Sequence, residues 1–158
     1  MRHKKTEKRE VAFDPIFNNR LVAKFINRIM ESGKKTVAQK NIYNAFKIIE
    51  EKSKNNPVEL FEKAVHNVEP RQEVKARRVG GASYQIPMEV RESRKVSLAI
   101  RWLAVAANAR SSKEYHTFAE KIAAELLDAS ENKGEAVKKK DTMQKMADAN
   151  RAFAHFRW

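Results

Sequence analysis

The sequence predicts a mainly α protein: a bundle of about six helices, one projecting two-stranded β-hairpin arm, and a disordered basic N-terminal arm. Three observations predict it. Apolar residues recur at helical spacing through most of the chain, one stretch near the middle switches to period two around a Gly-Gly pair, and the first ten residues hold five Lys/Arg with almost no apolar content. With 158 residues and 42% hydrophobic content, the chain can bury a core without metal or disulfide staples. The expected division is a flexible basic arm at 1–12, then a single helical domain at 13–158 with its β-hairpin at about 72–91.

The elements follow in order. Asp14-Pro15 reads as an N-cap followed by proline at the first helical position, with Phe17, Leu21, Phe25 and Ile29 on one face and Gly33 closing the helix. Thr36 and Gln39 offer a capping box for a second helix with the stripe Ile42, Ala45, Phe46 and Ile49. Asn56-Pro57 opens a third, through Leu60, Phe61, Ala64, Val65 and Val68, which stops before Pro70 because proline disfavours helix in the residue ahead of it. Ser93 is placed to cap a fourth helix holding Leu98, Trp102, Val105, Ala106 and Ala109, broad enough in its apolar surface to be central. Ser111 and Glu114 suggest a capping box before Tyr115, Phe118, Ile122 and Leu126. A last helix follows Gly134, from about Ala136 to Asn150, before a short tail.

Between the third and fourth helices lies V-K-A-R-R-V-G-G-A-S-Y-Q-I-P-M-E-V at 74–90. Val74, Ala76 and Arg78 alternate with Lys75, Arg77 and Val79 before the glycines, and Ile86, Met88 and Val90 alternate with Gln85, Pro87 and Glu89 after them. Two strands joined through Gly-Gly-Ala-Ser make a hairpin, and at ~3.3 Å per residue such arms reach ~23 Å. Pro87 cannot donate to a ladder and so requires an edge, which both strands of an isolated hairpin provide.

Charge narrows the function. The chain carries 33 Lys and Arg against 20 Asp and Glu, a net +13, and so large a surplus opposes compaction unless an acidic partner neutralises it; nucleic acid is the first candidate. From Arg71 to Lys95, seven cations (Arg71, Lys75, Arg77, Arg78, Arg91, Arg94, Lys95) face three carboxylates (Glu73, Glu89, Glu92), a net +4. Arginine dominates this cluster, and a planar guanidinium matches phosphate oxygens and stacks on bases as an ammonium cannot. Tyr84, beside the turn, could stack on a splayed base or pack across the hairpin. Lys34-Lys35 and Lys138-Lys139-Lys140 are further basic clusters. Each of these two clusters, taken alone, fits a solvated helix face better than a site.

Other chemistries find little support. There is no cysteine, so no disulfide, thiol nucleophile or cysteine-based zinc site is possible. His3, His66, His116 and His155 are isolated, which gives no metal-ligand spacing, and no cofactor motif is present. Gly33-Lys34, the only G-K, has Arg28 where a phosphate loop needs its first glycine and Lys35 where it needs Ser or Thr. The basic start is not followed by the apolar run of a signal peptide, and W-L-A-V-A-A at 102–107 falls far short of the ~20 residues that span a bilayer. The expectation is a soluble, unprocessed, cytoplasmic protein that is not an enzyme and binds no cofactor or membrane. An architectural DNA-binding protein with a basic β-arm is the alternative reading, and an RNA-modifying enzyme a third.

Three segments carry a resemblance: L-V-A-K-F-I-N-R-I-M-E-S-G-K-K at 21–35, E-V-K-A-R-R-V-G-G-A-S-Y-Q-I-P-M-E-V-R at 73–91, and N-K-G-E-A-V-K-K-K-D-T-M-Q-K-M-A-D-A-N-R-A-F-A-H-F-R-W at 132–158. In this order and spacing they resemble the bacterial ribosomal protein S-seven family. The resemblance implies a primary binder of small-subunit ribosomal RNA that docks on the 3′ major domain and nucleates assembly of the subunit head. It implies RNA contacts at Lys34, Lys35, Lys75, Arg77, Arg78, Arg91, Arg94 and Lys95 and, on α-helical or terminal segments, at Lys138, Lys139, Lys140 and the arm residues Arg2, Lys4, Lys5, Lys8 and Arg9. It further implies that the hairpin tip (Val79, Gly80, Gly81, Ala82, Ser83, Tyr84), with Arg151 and His155, lies near messenger RNA and exit-site transfer RNA. Ribosomal proteins nine and eleven of the small subunit would be neighbours, with the chain a monomer within the ribosome. The segment 109–117 looks longer and less basic than the family's usual turn.

Overall fold

A computed structural model describes residues 10–156, so the expectations for Arg2, Lys4, Lys5, Lys8 and Arg9 lie outside the described residues. The elements are α1 (Arg20–Ile29), α2 (Lys35–Ser53), α3 (Pro57–Val68), β1 (Gln72–Val79), β2 (Ala82–Glu89), α4 (Glu92–Ala109), α5 (Phe118–Ser130), α6 (Glu135–Ala149) and a terminal 3-10 helix (Arg151–Phe156). The mainly helical class and the single hairpin agree with the sequence reading.

Four helix starts differ from it: two take another side chain as cap and two take none. The Asp14 carboxylate accepts from the backbone N–H of Ile16 and Phe17 at 3.1 and 3.0 Å and from the Tyr43 hydroxyl at 2.8 Å, so it caps a turn and not a helix. Asn19 is the true cap of α1; its Oδ1 accepts from Leu21 N–H at 2.7 Å. The hydrogen bond and the burial together push the Tyr43 phenol up to about 12, burial being the larger cause. No side chain caps α2 or α4, whose N-cap residues are Lys34 and Arg91; the Thr36 box does not form and Ser93 sits inside the first turn. For α5 the capping box is Thr117 with Glu120, while Ser111 instead accepts from Lys113 N–H at 3.2 Å in the preceding turn. Asn56 caps α3 and Glu69 ends it before Pro70, as read from sequence.

The core lies where α5 packs against α2, α3 and α4. Residues 122–126 of α5 are all buried, whereas Val105 of α4 is 62% exposed, so α5 takes the central place expected of α4. Small residues hide this in the sequence: Ala119, Ala123 and Ala129 let neighbouring helices approach closely while adding little to an apolar stripe. Phe25, Phe46 and Phe61 fill the middle, with ring centroids 5.2 Å apart for Phe25–Phe61 and 5.9 Å for Phe46–Phe61.

The strands pair antiparallel with Gln72 opposite Glu89 and Val79 opposite Ala82, which leaves a two-residue turn. Gly80 and Gly81 have φ of +58° and +89°, the left-handed pair that a tight hairpin turn of matching twist requires. One face of the ribbon rests on the protein: β1 and β2 contact α6, and β2 contacts the 3-10 helix. No described helix is long and apolar enough to cross a membrane.

Candidate nucleic-acid interface

Cross-strand partners share a face, so Glu73, Lys75 and Arg77 lie with Tyr84, Ile86 and Met88 on the side turned to the protein, and Arg78, Ser83 and Gln85 lie on the solvent side. At the base of the ribbon, Glu73 is buried and gathers the cations. Arg94 Nε donates to its two oxygens at 3.0 and 2.8 Å, Arg94 Nη2 lies 2.8 Å away and Lys75 Nζ 3.5 Å away. Burial opposes ionisation of this carboxyl, but Arg94 and then Lys75 outweigh it and hold the group below the ordinary glutamate value. Lys95 is tied to Glu92 at 2.5 Å. Among the described residues no carboxylate pairs with Arg77 or Arg78 nearer the tip; Arg78 is exposed on the solvent side, and Arg77 is half-buried on the other. Arg91 is exposed at the N-cap of α4.

Tyr84 finds aromatic partners outside the hairpin. It stacks on the C-terminal segment, with ring centroids 5.1 Å from Phe153 and 5.5 Å from Phe156. Through Tyr84 and β2, the outer half of the ribbon lies beside the 3-10 helix that carries Arg151 and His155. His155 Nδ1 is 2.9 Å from the Ala152 carbonyl, and both Arg151 and His155 are exposed.

Lys34 and Lys35 are exposed where α1 turns into α2. Lys34 lines an open cavity of about 800 Å³ shared with Arg28, Val37, Val105 and Lys121. Arg28 also lines a second, of about 310 Å³, with Val11, Lys24, Asn27 and Ser97, so the two form a continuous surface along α1. Arg20, Lys24 and Arg28, spaced i, i+4 and i+8 on α1, are exposed cations that the sequence reading did not single out, and Arg20 pairs with Glu10 at 3.0 Å. Their signal was the polar complement of the apolar stripe on the same helix, spread too widely to appear as a cluster. On α6, Lys138 pairs with Glu135 at 2.6 Å and Lys140 donates to the Asn67 carbonyl at 2.9 Å, which ties α6 to α3; Lys139 is exposed.

Among the described residues, no group of three or more His, Asp or Glu is close enough to hold a metal, and no buried side-chain polar atom lacks a partner. The buried acids have structural partners. Glu125 Oε2 accepts from Arg110 Nε at 2.8 Å, its Oε1 accepts from Ala136 N–H at 3.0 Å, and Arg110 also bonds Asp128.

A helical body with an extended cationic face and an arginine-bearing ribbon defines a class of protein built to dock on a polyanion. The chain belongs to the ribosomal protein S7p/S5e family, whose model matches residues 1–151. It is 53% identical over 158 residues to the small ribosomal subunit protein uS7 of Thermotoga maritima, with all of both chains covered. It is 54% identical over 157 residues to that of Bradyrhizobium sp. strain BTAi1, with 99% of each chain covered, and 52% identical over 158 residues to that of Mycoplasma pneumoniae, with both chains fully covered.

Proposed function

We propose that this protein is a structural component of the small ribosomal subunit and a primary binder of its ribosomal RNA, docking on the 3′ major domain and nucleating assembly of the subunit head. One observation supports the proposal beyond family membership: among the described residues Arg77 and Arg78 have no carboxylate partner, on a ribbon whose base leads into α4 beside the exposed face of α1. The contacts proposed are the exposed cations Lys34, Lys35, Lys75, Arg77, Arg78, Arg91, Arg94 and Lys139, with Lys95, Lys138 and Lys140 contributing where their internal pairs leave donors free. Arg20, Lys24 and Arg28 join them, and Arg2, Lys4, Lys5, Lys8 and Arg9 extend the same charge.

The mechanism is neutralisation and shape. Junctions bring the phosphates of several RNA helices together, and a preformed cationic surface lowers the cost of that approach. The deep, narrow major groove of A-form RNA excludes an inserted helix, so recognition rests on junction shape and unpaired bases. The tip, with Arg151 and His155, lies near messenger and exit-site transfer RNA in this reading, with small-subunit proteins nine and eleven as neighbours, in the cytoplasmic ribosome. The chain acts in it as a monomer with no enzymatic role.

Filter binding in competition tests the proposal against an architectural DNA-binding role. Folded ribosomal RNA should compete far better than generic duplex DNA of equal length, and tighter binding to the duplex would reverse the assignment. The tip Gly-Gly-Ala-Ser offers no large apolar wedge of the kind that kinks DNA.

A further inference from the structure

We propose that Glu73 is a positioning residue for RNA: its buried carboxylate holds the Arg94 guanidinium, with the Lys75 ammonium beside it, in the orientation that receives a phosphate. This rests on the RNA-binding reading above and deepens it. An acid on a surface meant for a polyanion is an anomaly, since a bystander carboxylate repels phosphate.

The geometry resolves the anomaly. The Glu73 side chain is 9% exposed, while those of Arg94 and Lys75 are 51% and 53% exposed. The acid is therefore underneath and the cations on top. A guanidinium has five N–H donors in a rigid fork. Glu73 takes the Nε proton and one Nη2 proton, which leaves both Nη1 protons and the second Nη2 proton on the far edge. That edge matches two phosphate oxygens.

Both supports are fixed. Glu73 sits in the ladder opposite Met88, the base of the ribbon is closed by Val90 N–H to the Arg71 carbonyl at 3.1 Å, and Arg94 lies in the first turn of α4. Fixing the side chain before binding removes ordering that an unheld arginine would undergo when it meets its ligand.

The test turns on a sign. Full-length protein is titrated with a transcript of the 3′ major domain of bacterial small-subunit RNA, and Glu73→Gln, Arg94→Gln and the double variant are compared, with circular dichroism to verify folding. Glu73→Gln, which removes a negative charge, should weaken binding roughly tenfold, and should cause no further loss in the Arg94→Gln background. Tighter or unchanged binding by Glu73→Gln would mean a bystander acid, and equal loss in both backgrounds a purely structural one; either overturns the inference. Should Glu73→Gln not fold, Glu73→Asp keeps the charge but withdraws the carboxylate, and must also weaken binding if positioning is what matters. Failure of the unaltered protein to bind the transcript would remove the RNA-binding reading itself, an outcome distinct from all of these.

Discussion

At the scale of single residues, the buried acids divide into two kinds. Glu125 is 1% exposed and joins the end of α4, through Arg110, to the start of α6, through Ala136 N–H. Removing one partner of a buried pair strands the other, so Glu125→Ala should cost about 3 to 5 kcal/mol in urea unfolding. Gly134 completes this joint: its φ is +91°, and an added Cβ would lie 2.9 Å from Glu125 Oε1. Gly134→Ala should therefore destabilise by more than about 1 kcal/mol, whereas the same change at Gly33, with nothing within 4 Å, meets only the backbone penalty. Glu73 differs, because its partner Arg94 is half exposed and solvent screens the pair. Its carboxyl titrates below the ordinary glutamate value when folded, so the native state binds fewer protons there than the unfolded chain. The stability that Glu73 contributes is present above the unfolded glutamate value and lost as pH falls through the lower folded one. The gap in unfolding free energy between the wild type and Glu73→Gln should thus shrink on acidification; a gap that widens would contradict the assignment.

At the scale of elements, the ribbon depends on the C-terminal segment. Tyr84 against Phe153 and Phe156 is the aromatic contact that fastens the outer half of the hairpin, and a two-stranded ribbon is marginal without such support. Tyr84→Ala should raise amide exchange across 72–89 while leaving α2, α3 and α5 protected; exchange unchanged in the ribbon would show that α6 alone suffices. The ribbon itself was legible because period two and a Gly-Gly pair admit few other structures. Its aromatic anchor was not, since Tyr84 and Phe153 are far apart in sequence and nothing local links them. The same limit explains the caps. Asp14-Pro15 has the chemistry of a helix start, and only Tyr43, from α2, commits Asp14 to a turn. Ser111 and Thr117 each precede an acid by three residues, and the burial of Ala119 and Ile122 decides for Thr117. In the candidate site, clustered arginines announced themselves, while Lys24 and Arg28 shared a surface with α4 only once α1 was set beside it.

At the scale of the whole molecule, net charge of +13 and its placement around the ribbon and α1 make binding a matter of counterion release. If roughly six to ten phosphates are met, affinity for folded RNA should fall by about 10³ to 10⁵ between about 50 and 200 mM salt, and a salt-insensitive complex would show that these cations are not the contact. Salt dependence alone does not identify the RNA. Footprinting on naked small-subunit ribosomal RNA tests the central claim most directly: protection confined to the 3′ major domain is the predicted result, and protection spread across the molecule would contradict it.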